Sequence, residues 1–504
     1  MLDRCLISFV ILVGAPLMNA PAVATQQTQP AQPTVDIREQ RARAFIDAIN
    51  GDDPAGYIQY MATNRTPESA AAATEAERRD QFRQFKDTMG ELRIESVNIV
   101  GPSELQIIAQ TAKGAWFSFS FTFSDGPAHL VEMIRIQTAE GPNGGMLDIE
   151  PWESLEDFLK QVRAQYEVPA IAIAVVVGGK IVDSAAVGVR SIDGPEQVTL
   201  ADKFHWGSVT KSVTGTMLGS LIEDGVLSPD LTLGEAFDDI DMLDAYRDVT
   251  LEQLMCHRGG IPTYTELTMD MESILNPPGD SDIDRRHTFA RHVLKETPIN
   301  TPGSTQAYSN AGVSLAGHMA EVVTGHTWEQ LVQAHVFDAL GMSTAGFGWP
   351  TQHDPNQPAG HMGGGPGRAL MMVPHDRMPS PMALAPAGWV YSSIEDFAAY
   401  AIVHLRGLRG ADGPIAATTI KRIHTPLPGP GSGERYSFGW GIADWPDPGI
   451  ECHWHNGSAG TFFAEIRLLP EHDAAVVVLM NSAGPGDWFA PSVCEQAIRH
   501  LVLD

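Results

Sequence analysis

Ser208 and Lys211 are the residues of this chain whose types and spacing are best suited to chemistry. Side chains three positions apart on a helix lie on one face, one turn apart, so the lysine amine would stand beside the serine hydroxyl. The segment after them carries apolar residues at helical spacing: Val213, Met217, Leu218, Leu221 and Ile222. This spacing predicts a mostly buried helix with Ser208 at its N-terminal end, where free backbone N–H groups favour negative charge. The pair could activate a serine without a histidine, although the same spacing also arises by chance on an ordinary polar helix face.

Two further polar clusters favour the chemical interpretation. Tyr308-Ser309-Asn310 precedes a second apolar helical pattern. His455-Asn456-Gly457-Ser458 precedes a strand-like run over residues 461–469. Three such clusters in this order, each at the edge of a predicted element, are much less common by chance than one.

With these clusters the chain resembles the serine β-lactamase and penicillin-binding-protein superfamily, in particular its class C-related branch of esterases, D-aminopeptidases and lactamase-like hydrolases. The resemblance covers about residues 151 to 504, and it includes four further segments: Leu254–Pro262, Leu340–Met342, Pro386–Ser392 and Phe438–Gly441. It implies an α+β fold, with an antiparallel sheet flanked by helices plus a helical subdomain. Strand patterns near both ends of this region, with helices between, agree with one sheet built from both termini.

The resemblance implies a role for each polar cluster. Ser208 would be the nucleophile, and Lys211 and Tyr308 would share the role of general base. Their ordinary pKa values, about 10.4 and about 10, are too high for that role at neutral pH, so burial and proximity must lower one of them. Asn310 would hydrogen-bond Lys211 and the amide of the substrate. The backbone N–H groups of Ser208 and Ser458 would form an oxyanion hole.

The third cluster departs from the pattern of the family. His455 stands where lactamases carry the lysine of Lys-Thr-Gly, and Asn456 stands at the threonine, while Gly457 is retained. The lysine and hydroxyl usually hold the carboxylate of a β-lactam or a peptide terminus, and histidine is a weaker, pH-dependent cation. This departure disfavours efficient β-lactamase activity and favours an esterase or peptidase.

The leading hypothesis is therefore an exported serine hydrolase that forms an acyl-enzyme on Ser208 and acts on a small ester, amide or D-amino-acid peptide. A class C-like β-lactamase is the second hypothesis. A non-catalytic binding or sensor protein with the same cleft is the third. No cofactor or metal is implied, and the sequence leaves open the acyl group, the leaving group, the final acceptor and the oligomeric state.

The charge of the chain excludes some partners. Its net charge is −29 and its pI is about 4.8, so binding to nucleic acid or to an anionic membrane surface is not expected. Residues 1–24 have the basic start, short apolar run and Ala22-Val23-Ala24 ending of a secretory signal peptide, which predicts a secreted or periplasmic protein. After its removal, no other segment is long and apolar enough to span a bilayer.

The region before the resemblance has its own organisation. Residues 25–34 form a linker rich in Gln, Thr, Pro and Ala. Residues 35–150 show three helical patterns followed by four strand patterns, with Phe117, Phe119, Phe121 and Phe123 in strict alternation. This element order predicts a small α+β domain similar to the ketosteroid-isomerase-like cone fold, serving as a packing, dimerising or ligand-holding module. The hydrolase domain would occupy residues 151–504.

The cysteines predict little covalent structure. Cys256, Cys452 and Cys494 remain after signal removal, and an odd number permits at most one disulfide within the chain. Cys452-His453-Trp454-His455 superficially resembles a metal-binding run. A structural role or a place at the site rim is the better interpretation, because no second cluster has zinc-site spacing.

Overall fold

The computed structural model describes residues 36–71, 73–101, 103–111, 116–124, 126–138, 147, 149–265, 271–363, 370–375, 380–427, 435–484 and 489–503. The described residues up to 138 form one compact unit, and those from 147 onward form another. We call them the first unit and the second unit. The predicted signal peptide, residues 1–24, and the predicted linker, residues 25–34, lie outside the described residues.

The first unit consists of four helices followed by four strands. They are α1 (Ile37–Asn50), α2 (Pro54–Thr63), α3 (Pro67–Ala71), α4 (Glu75–Met89), β1 (Leu92–Gly101), β2 (Glu104–Thr111), β3 (Trp116–Phe123) and β4 (Val131–Thr138). The helix starts follow local sequence: Asp36 and Asp53 cap α1 and α2, and Thr74 with Glu77 forms a capping box on α4. The strands pair in chain order as one antiparallel sheet.

Aromatic rings form the core of the first unit. The alternating phenylalanines of β3 are buried against α1, where the ring of Phe45 lies 6.2 Å from Phe119 and 5.8 Å from Phe121 between centroids. Tyr57 and Tyr60 of α2 extend the same cluster. The period of two in the sequence therefore placed the core face of this sheet correctly.

The second unit contains the remaining elements. They are α5 (Leu155–Tyr166), β5 (Ala170–Val177), β6 (Lys180–Gly188), β7 (Phe204–His205), α6 (Thr210–Glu223), α7 (Leu233–Ala236), α8 (Leu251–Met255), α9 (Glu272–Leu275), α10 (Asp282–Val293), α11 (Asn310–Thr324), α12 (Trp328–Val332), β8 (Gly346–Phe347), α13 (Pro350–His353), β9 (Gly360–Gly363), β10 (Leu370–Val373), α14 (Ala385–Gly388), β11 (Val390–Ser392), α15 (Ile394–Leu408), α16 (Ala417–Ile423), β12 (Arg435–Ser437), β13 (Trp440–Asp444), β14 (Glu451–Ser458), β15 (Phe463–Leu469), β16 (Ala474–Met480) and α17 (Phe489–Ile498). Short strands β7, β11 and β8 pair beside the main sheet.

The main sheet of the second unit joins the two ends of the unit. Its seven strands lie in the order β12-β13-β14-β15-β16-β5-β6, and every pair is antiparallel. Strands β5 and β16 are continuous apolar runs because both of their faces are covered: α15 packs on β16 and β5, α17 on β16 and α5 on β5. The predicted α+β class and the single sheet built from both termini are confirmed.

Helix α6 runs through the core of the second unit. Nearly all of its residues are buried, including polar Lys211, Ser212 and Thr216. Small residues allow this close packing, since a Cβ added to Gly215 would lie 2.0 Å from the carbonyl oxygen of Phe438. A helix that is buried all round is expected at the centre of a large unit.

The three cysteines of the second unit are buried free thiols. Burial raises the pKa of Cys256 to about 11 and that of Cys452 to about 12, and it raises the pKa of Cys494 well above its ordinary value. These thiols are therefore protonated and unreactive at neutral pH. Among the described helices, none has the length and apolar character needed to cross a membrane.

Candidate active site

Ser208 lies in a 3-10 turn, Gly207–Val209, that leads directly into α6. We call it the Ser208 turn. The end of β14 lies against this turn, since a Cβ added to Gly457 would lie 2.0 Å from the Trp206 carbonyl oxygen and 2.6 Å from the Ser208 nitrogen. Gly207 has a φ of +52° and would likewise meet the backbone of Ser458 at 2.7 Å. Two glycines thus allow strand and turn to touch backbone to backbone.

The Lys211 amine lies beside the Ser208 hydroxyl, as the spacing predicted. Its Nζ is 3.0 Å from Ser208 Oγ and donates to the carbonyl oxygen of Ala387 at 2.7 Å. The side chain is fully buried, and burial lowers the pKa of Lys211 well below its ordinary value. A neutral amine next to a hydroxyl can accept its proton.

Tyr308 completes the group around Ser208. Its ring centroid lies 4.9 Å from Lys211 Nζ. Burial raises the pKa of Tyr308, and a hydrogen bond with the Ser208 side chain opposes that rise only in part. Of the two groups expected to share the role of base, burial therefore favours the neutral lysine and leaves the tyrosine protonated.

The rings of His257 and Tyr436 pack in series next to Tyr308. The His257 ring lies 4.5 Å from the Tyr308 ring and 4.6 Å from the Tyr436 ring between centroids. The backbone N–H of Ser309 donates to His257 Nδ1 at 3.2 Å, which fixes the segment that carries Tyr308. The sequence analysis did not select Tyr436; the only signal was its place two residues before the Phe438–Gly441 segment.

His455 is neutral, and both of its ring nitrogens form hydrogen bonds. The Tyr436 hydroxyl donates to its Nε2 at 2.9 Å, and its Nδ1–H donates to the carbonyl oxygen of Asn456. Burial lowers the pKa of His455 to about 3. The position that the family fills with a lysine therefore carries no positive charge at neutral pH.

The other predicted residues are only partly brought together. Asn310 begins α11, and its Nδ2 donates to the Tyr264 carbonyl at 2.8 Å in place of the predicted bond with Lys211. Its Oδ1 is buried with no hydrogen-bond partner among the described residues. Asn456 projects to the opposite face of β14 from Gly457, because strand side chains alternate. Ser458 ends the strand and is exposed.

The segment over α14 and β11 supports the lysine from behind. Thr214 of α6 donates to the Pro386 carbonyl at 2.7 Å, and the Val390 N–H donates to Thr210 at 3.0 Å. These two bonds hold the Ala387 carbonyl in position for Lys211. This contact joins residues far apart in sequence, so no local pattern could reveal it.

The described residues contain no group of three or more His, Cys, Asp or Glu side chains that could hold a metal ion. His453 contacts His424, whereas His455 contacts Tyr436. The resemblance of residues 452–455 to a metal-binding run therefore has no counterpart in the geometry of these side chains.

The Beta-lactamase family model matches residues 155–491. This chain belongs to the Beta-lactamase family. Like other members of this serine hydrolase family, it is similar to a "Penicillin-binding protein 4" from Amycolatopsis lactamdurans, with 25% identity over 67% of this chain and 86% of that protein. A "Unguisins hydrolase" from Aspergillus campestris is 24% identical over 69% of this chain and 64% of that protein.

The fold of this Beta-lactamase family member is also found in a solved structure. The octameric penicillin-binding protein homologue from Pyrococcus abyssi has a TM-score of 0.56 and 25% sequence identity, and the match covers 69% of this chain and 76% of that chain. The resemblance that the three polar clusters indicated is therefore confirmed.

Proposed function

We propose that this chain is an exported serine hydrolase that forms an acyl-enzyme on Ser208 and hydrolyses a small ester, amide or D-amino-acid peptide. One observation carries the proposal: a fully buried lysine amine, with its pKa depressed by that burial, lies 3.0 Å from Ser208 Oγ. A structural lysine has no need of a serine partner in a buried site. The pair instead supplies a nucleophile and its base.

Acylation begins with transfer of the Ser208 proton to the neutral Lys211 amine as Oγ attacks the substrate carbonyl. The carbonyl oxygen becomes an oxyanion, and the backbone N–H groups of Ser208 and Ser458 stabilise it. Collapse of this intermediate breaks the bond to the leaving group. Tyr308 remains protonated, so its hydroxyl can donate to the leaving oxygen or nitrogen and be reprotonated by the Lys211 ammonium.

Deacylation reverses these roles. Lys211 has returned to the neutral form, and it accepts a proton from a water molecule that attacks the acyl carbon. The second tetrahedral intermediate collapses, the Ser208–acyl bond breaks, and the proton returns to Ser208. Asn310 Oδ1, buried without a described partner, is suited to accept a hydrogen bond from a substrate N–H.

The neutral state of His455 supports a substrate that lacks a carboxylate on the leaving-group side of its scissile bond. Both ring nitrogens are engaged, and the pKa of about 3 keeps the ring uncharged. A substrate carboxylate there would lose its hydration without gaining an opposite charge. This favours neutral esters and amides over classical β-lactams.

The test of the proposal is hydrolysis of a neutral p-nitrophenyl short-chain ester by the mature protein and by Ser208→Ala. Ser343→Ala serves as the control, because that serine is exposed on a surface turn. We expect loss of turnover and of fluorophosphonate labelling in Ser208→Ala only, with an unchanged unfolding midpoint. Equal activity in all three proteins would overturn the proposal.

Substrate class and export need separate tests. A pair of ester substrates that differ only in a carboxylate on the leaving-group side should show higher kcat/KM for the neutral member, and nitrocefin should be turned over slowly. Equal kcat/KM for the pair would contradict the role given to His455. For export, mass spectrometry of the protein released from the cells should find Thr25 at its N-terminus.

A further inference from the structure

Three buried histidines of the second unit form a hydrogen-bonded chain that the proposed reaction does not use. His404 Nδ1 lies 3.0 Å from His424 Nε2, and His424 Nδ1 lies 3.0 Å from His453 Nδ1. Thr216 Oγ1 lies 3.1 Å from His404 Nε2 at the inner end, and Glu451 Oε1 lies 3.3 Å from His453 Nε2 at the outer end. We call the three rings the histidine chain.

The outer end of the histidine chain lies on the strand that contacts the Ser208 turn. His453 and His455 project from the same face of β14, because side chains two apart on a strand do so. Gly457, two residues further on, is the point where β14 touches the turn. A change at His453 therefore acts on the same face of the strand that lines the candidate active site.

The inner end of the histidine chain reaches the Ser208 turn through α6. The Thr216 hydroxyl lies 2.9 Å from the Tyr400 hydroxyl, which donates to Ser212 Oγ at 3.1 Å. Ser212 in turn donates to the carbonyl oxygen of Val209, within the turn, at 2.8 Å. The histidine chain thus connects β14 with the Ser208 turn, the two elements whose contact would form the oxyanion hole.

The hydrogen bonds of the histidine chain have a direction. A neutral imidazole has one N–H donor and one bare nitrogen acceptor. With three neutral rings, every contact is satisfied only when the bonds all point outwards, from the Thr216 hydroxyl through the rings to the Glu451 carboxylate. In the inward direction a bare His453 Nε2 would face that carboxylate, so this direction requires one added proton on His453.

The single hydroxyl hydrogen of Thr216 couples this direction to α6. In the outward direction it is donated to His404. In the inward direction His404 donates to Thr216, and the hydroxyl hydrogen is free for the Ser212 carbonyl, 2.8 Å away. One proton taken up at His453 therefore changes the hydrogen bonding of residues 212–216 of α6, and Ser212 bonds the Val209 carbonyl in the Ser208 turn.

The groups around His453 decide how readily it is protonated. Burial lowers the pKa of His453, the Glu451 carboxylate raises it, and Arg435 lowers it further. Arg435 itself pairs with Glu451 at 3.0 Å. The neighbouring strands present apolar Ile442 and Leu468 opposite His453, and the inner rings pack on Trp440.

We propose that the histidine chain is a proton-linked positioning element for the candidate active site. With neutral rings it holds β14 and the Ser208 turn in the reactive arrangement, and one proton on His453 reverses its bonds and slows the reaction. The inference rests on the proposed role of Ser208. It adds a loss of activity on the acid side that is set by His453 rather than by Lys211 or Tyr308.

The test uses two variants with opposite expected effects, Glu451→Gln and Arg435→Gln. Both side chains are about half exposed, with fractions of 48% and 47%, so the fold and the rate at neutral pH should be unchanged. Glu451→Gln removes the charge that favours protonated His453, and it should shift the acid midpoint of Ser208 labelling by a fluorophosphonate to lower pH. Arg435→Gln should shift that midpoint to higher pH.

A second measurement does not depend on turnover. In protein labelled with isotopic histidine, the ring signals of His453 and His455, assigned by His→Asn variants, should change with the same acid midpoint. That midpoint should move in opposite directions in the two charge variants. His424→Phe, which interrupts the histidine chain between His453 and α6, should leave Ser208 labelling insensitive to the protonation of His453.

The outcomes separate the two proposals. Absence of labelling in the unmodified protein would contradict the role of Ser208, while the histidine signals would still report the chain. Midpoints that do not move, that move in the same direction, or that move for His453 without a response at His455 would overturn the histidine chain as a positioning element.

Discussion

The first unit buries a cluster of aromatic rings, whereas the second unit buries histidines, a lysine and paired charges. The core of the first unit centres on Phe45, Phe119 and Phe121, and residues 36–138 contain one histidine. The second unit buries eight histidines: His205, His257, His318, His361, His404, His424, His453 and His455. It also buries Lys211 and the ion pair of Arg286 with Glu321, 2.7 Å apart.

The difference indicates that the two interiors meet different demands. Burial of a polar group costs free energy unless a partner replaces the lost water. An aromatic core buries apolar surface without this cost. The interior of the first unit therefore serves its stability. The second unit retains costly groups, and some of them reach Ser208 or the Ser208 turn through hydrogen bonds. Such groups are expected where protons must be held and moved. Four predictions test this contrast.

The largest expected effect is the loss of activity in Lys211→Met. Removal of the proposed base should lower the acylation rate about 10²- to 10⁴-fold. The free energy of unfolding should stay the same or rise, because a buried amine is replaced by an apolar side chain of similar length. Rapid-mixing ester kinetics and urea unfolding measure the two quantities. Lys295→Met, at an exposed site, should change neither, and a strong loss of stability in Lys211→Met would contradict the contrast.

Acid should destabilise the second unit before the first. All eight buried histidines have a pKa below the ordinary value of about 6.5, mainly because of burial. The unfolded chain therefore binds more protons, so stability is present above about pH 6.5 and falls as pH drops below it. Each histidine that stays neutral in the folded state lowers the free energy of unfolding by about 1.4 kcal/mol for each pH unit below that value.

Fluorescence and circular dichroism can separate the two units in this experiment. Of the described tryptophans, only Trp116 lies in the first unit. The urea midpoint followed by tryptophan fluorescence should fall on acidification, while a second transition in far-UV circular dichroism keeps its midpoint. A parallel fall of both transitions would show that the buried histidines do not distinguish the units.

A cavity in the aromatic core should destabilise only the first unit. Phe119 is fully buried and contacts the ring of Phe45. Phe119→Ala should cost about 3–5 kcal/mol of the unfolding free energy of this unit. Met133→Ala, at a side chain that is 52% exposed, should stay within about 0.5 kcal/mol. The first-unit transition in circular dichroism reports both, and equal losses in the two variants would argue against a core centred on phenylalanine.

The smallest expected effect concerns the tyrosine that sequence analysis missed. Tyr436→Phe removes the hydroxyl that donates to His455 Nε2, and the loss of one such bond is worth about 0.5–1.5 kcal/mol. We expect a decrease in kcat/KM of roughly 2- to 10-fold for a neutral ester. Tyr246→Phe, which removes a hydroxyl bonded to the Glu296 carbonyl, should affect stability alone. An unchanged kcat/KM in Tyr436→Phe would show that the Tyr436 hydroxyl has no role in the reaction.

Local spacing was sufficient to predict the parts of this molecule that depend on local geometry. The alternation of phenylalanines identified β3 and its buried face, and the three-residue spacing placed Lys211 beside Ser208. Strand patterns at both ends of the second unit predicted four strands of its sheet, β5, β6, β15 and β16, whereas β12, β13 and β14 were not predicted. Each of these features depends on a helix or strand period that can be read along the chain.

The remaining features depend on contacts between distant segments. Ala387 lies in the short helix α14 and Tyr436 in the short strand β12. Both are more than a hundred residues from Ser208 in the sequence, and no periodicity relates them to it. The choice between Lys211 and Tyr308 as base depends on the burial of each group. Asn310 donates to the Tyr264 carbonyl because residues 262–264, which follow α8, lie against the start of α11. The motif alone does not encode this contact.

The buried thiols of the second unit provide a built-in measure of how often that unit opens. Cys256, Cys452 and Cys494 all lie in the second unit, and their raised pKa values protect them in the folded state. A thiol reagent will therefore modify them only when that unit opens. Because residues 36–138 contain no cysteine, modification of Cys256, Cys452 and Cys494 reports the opening of the second unit and not that of the first.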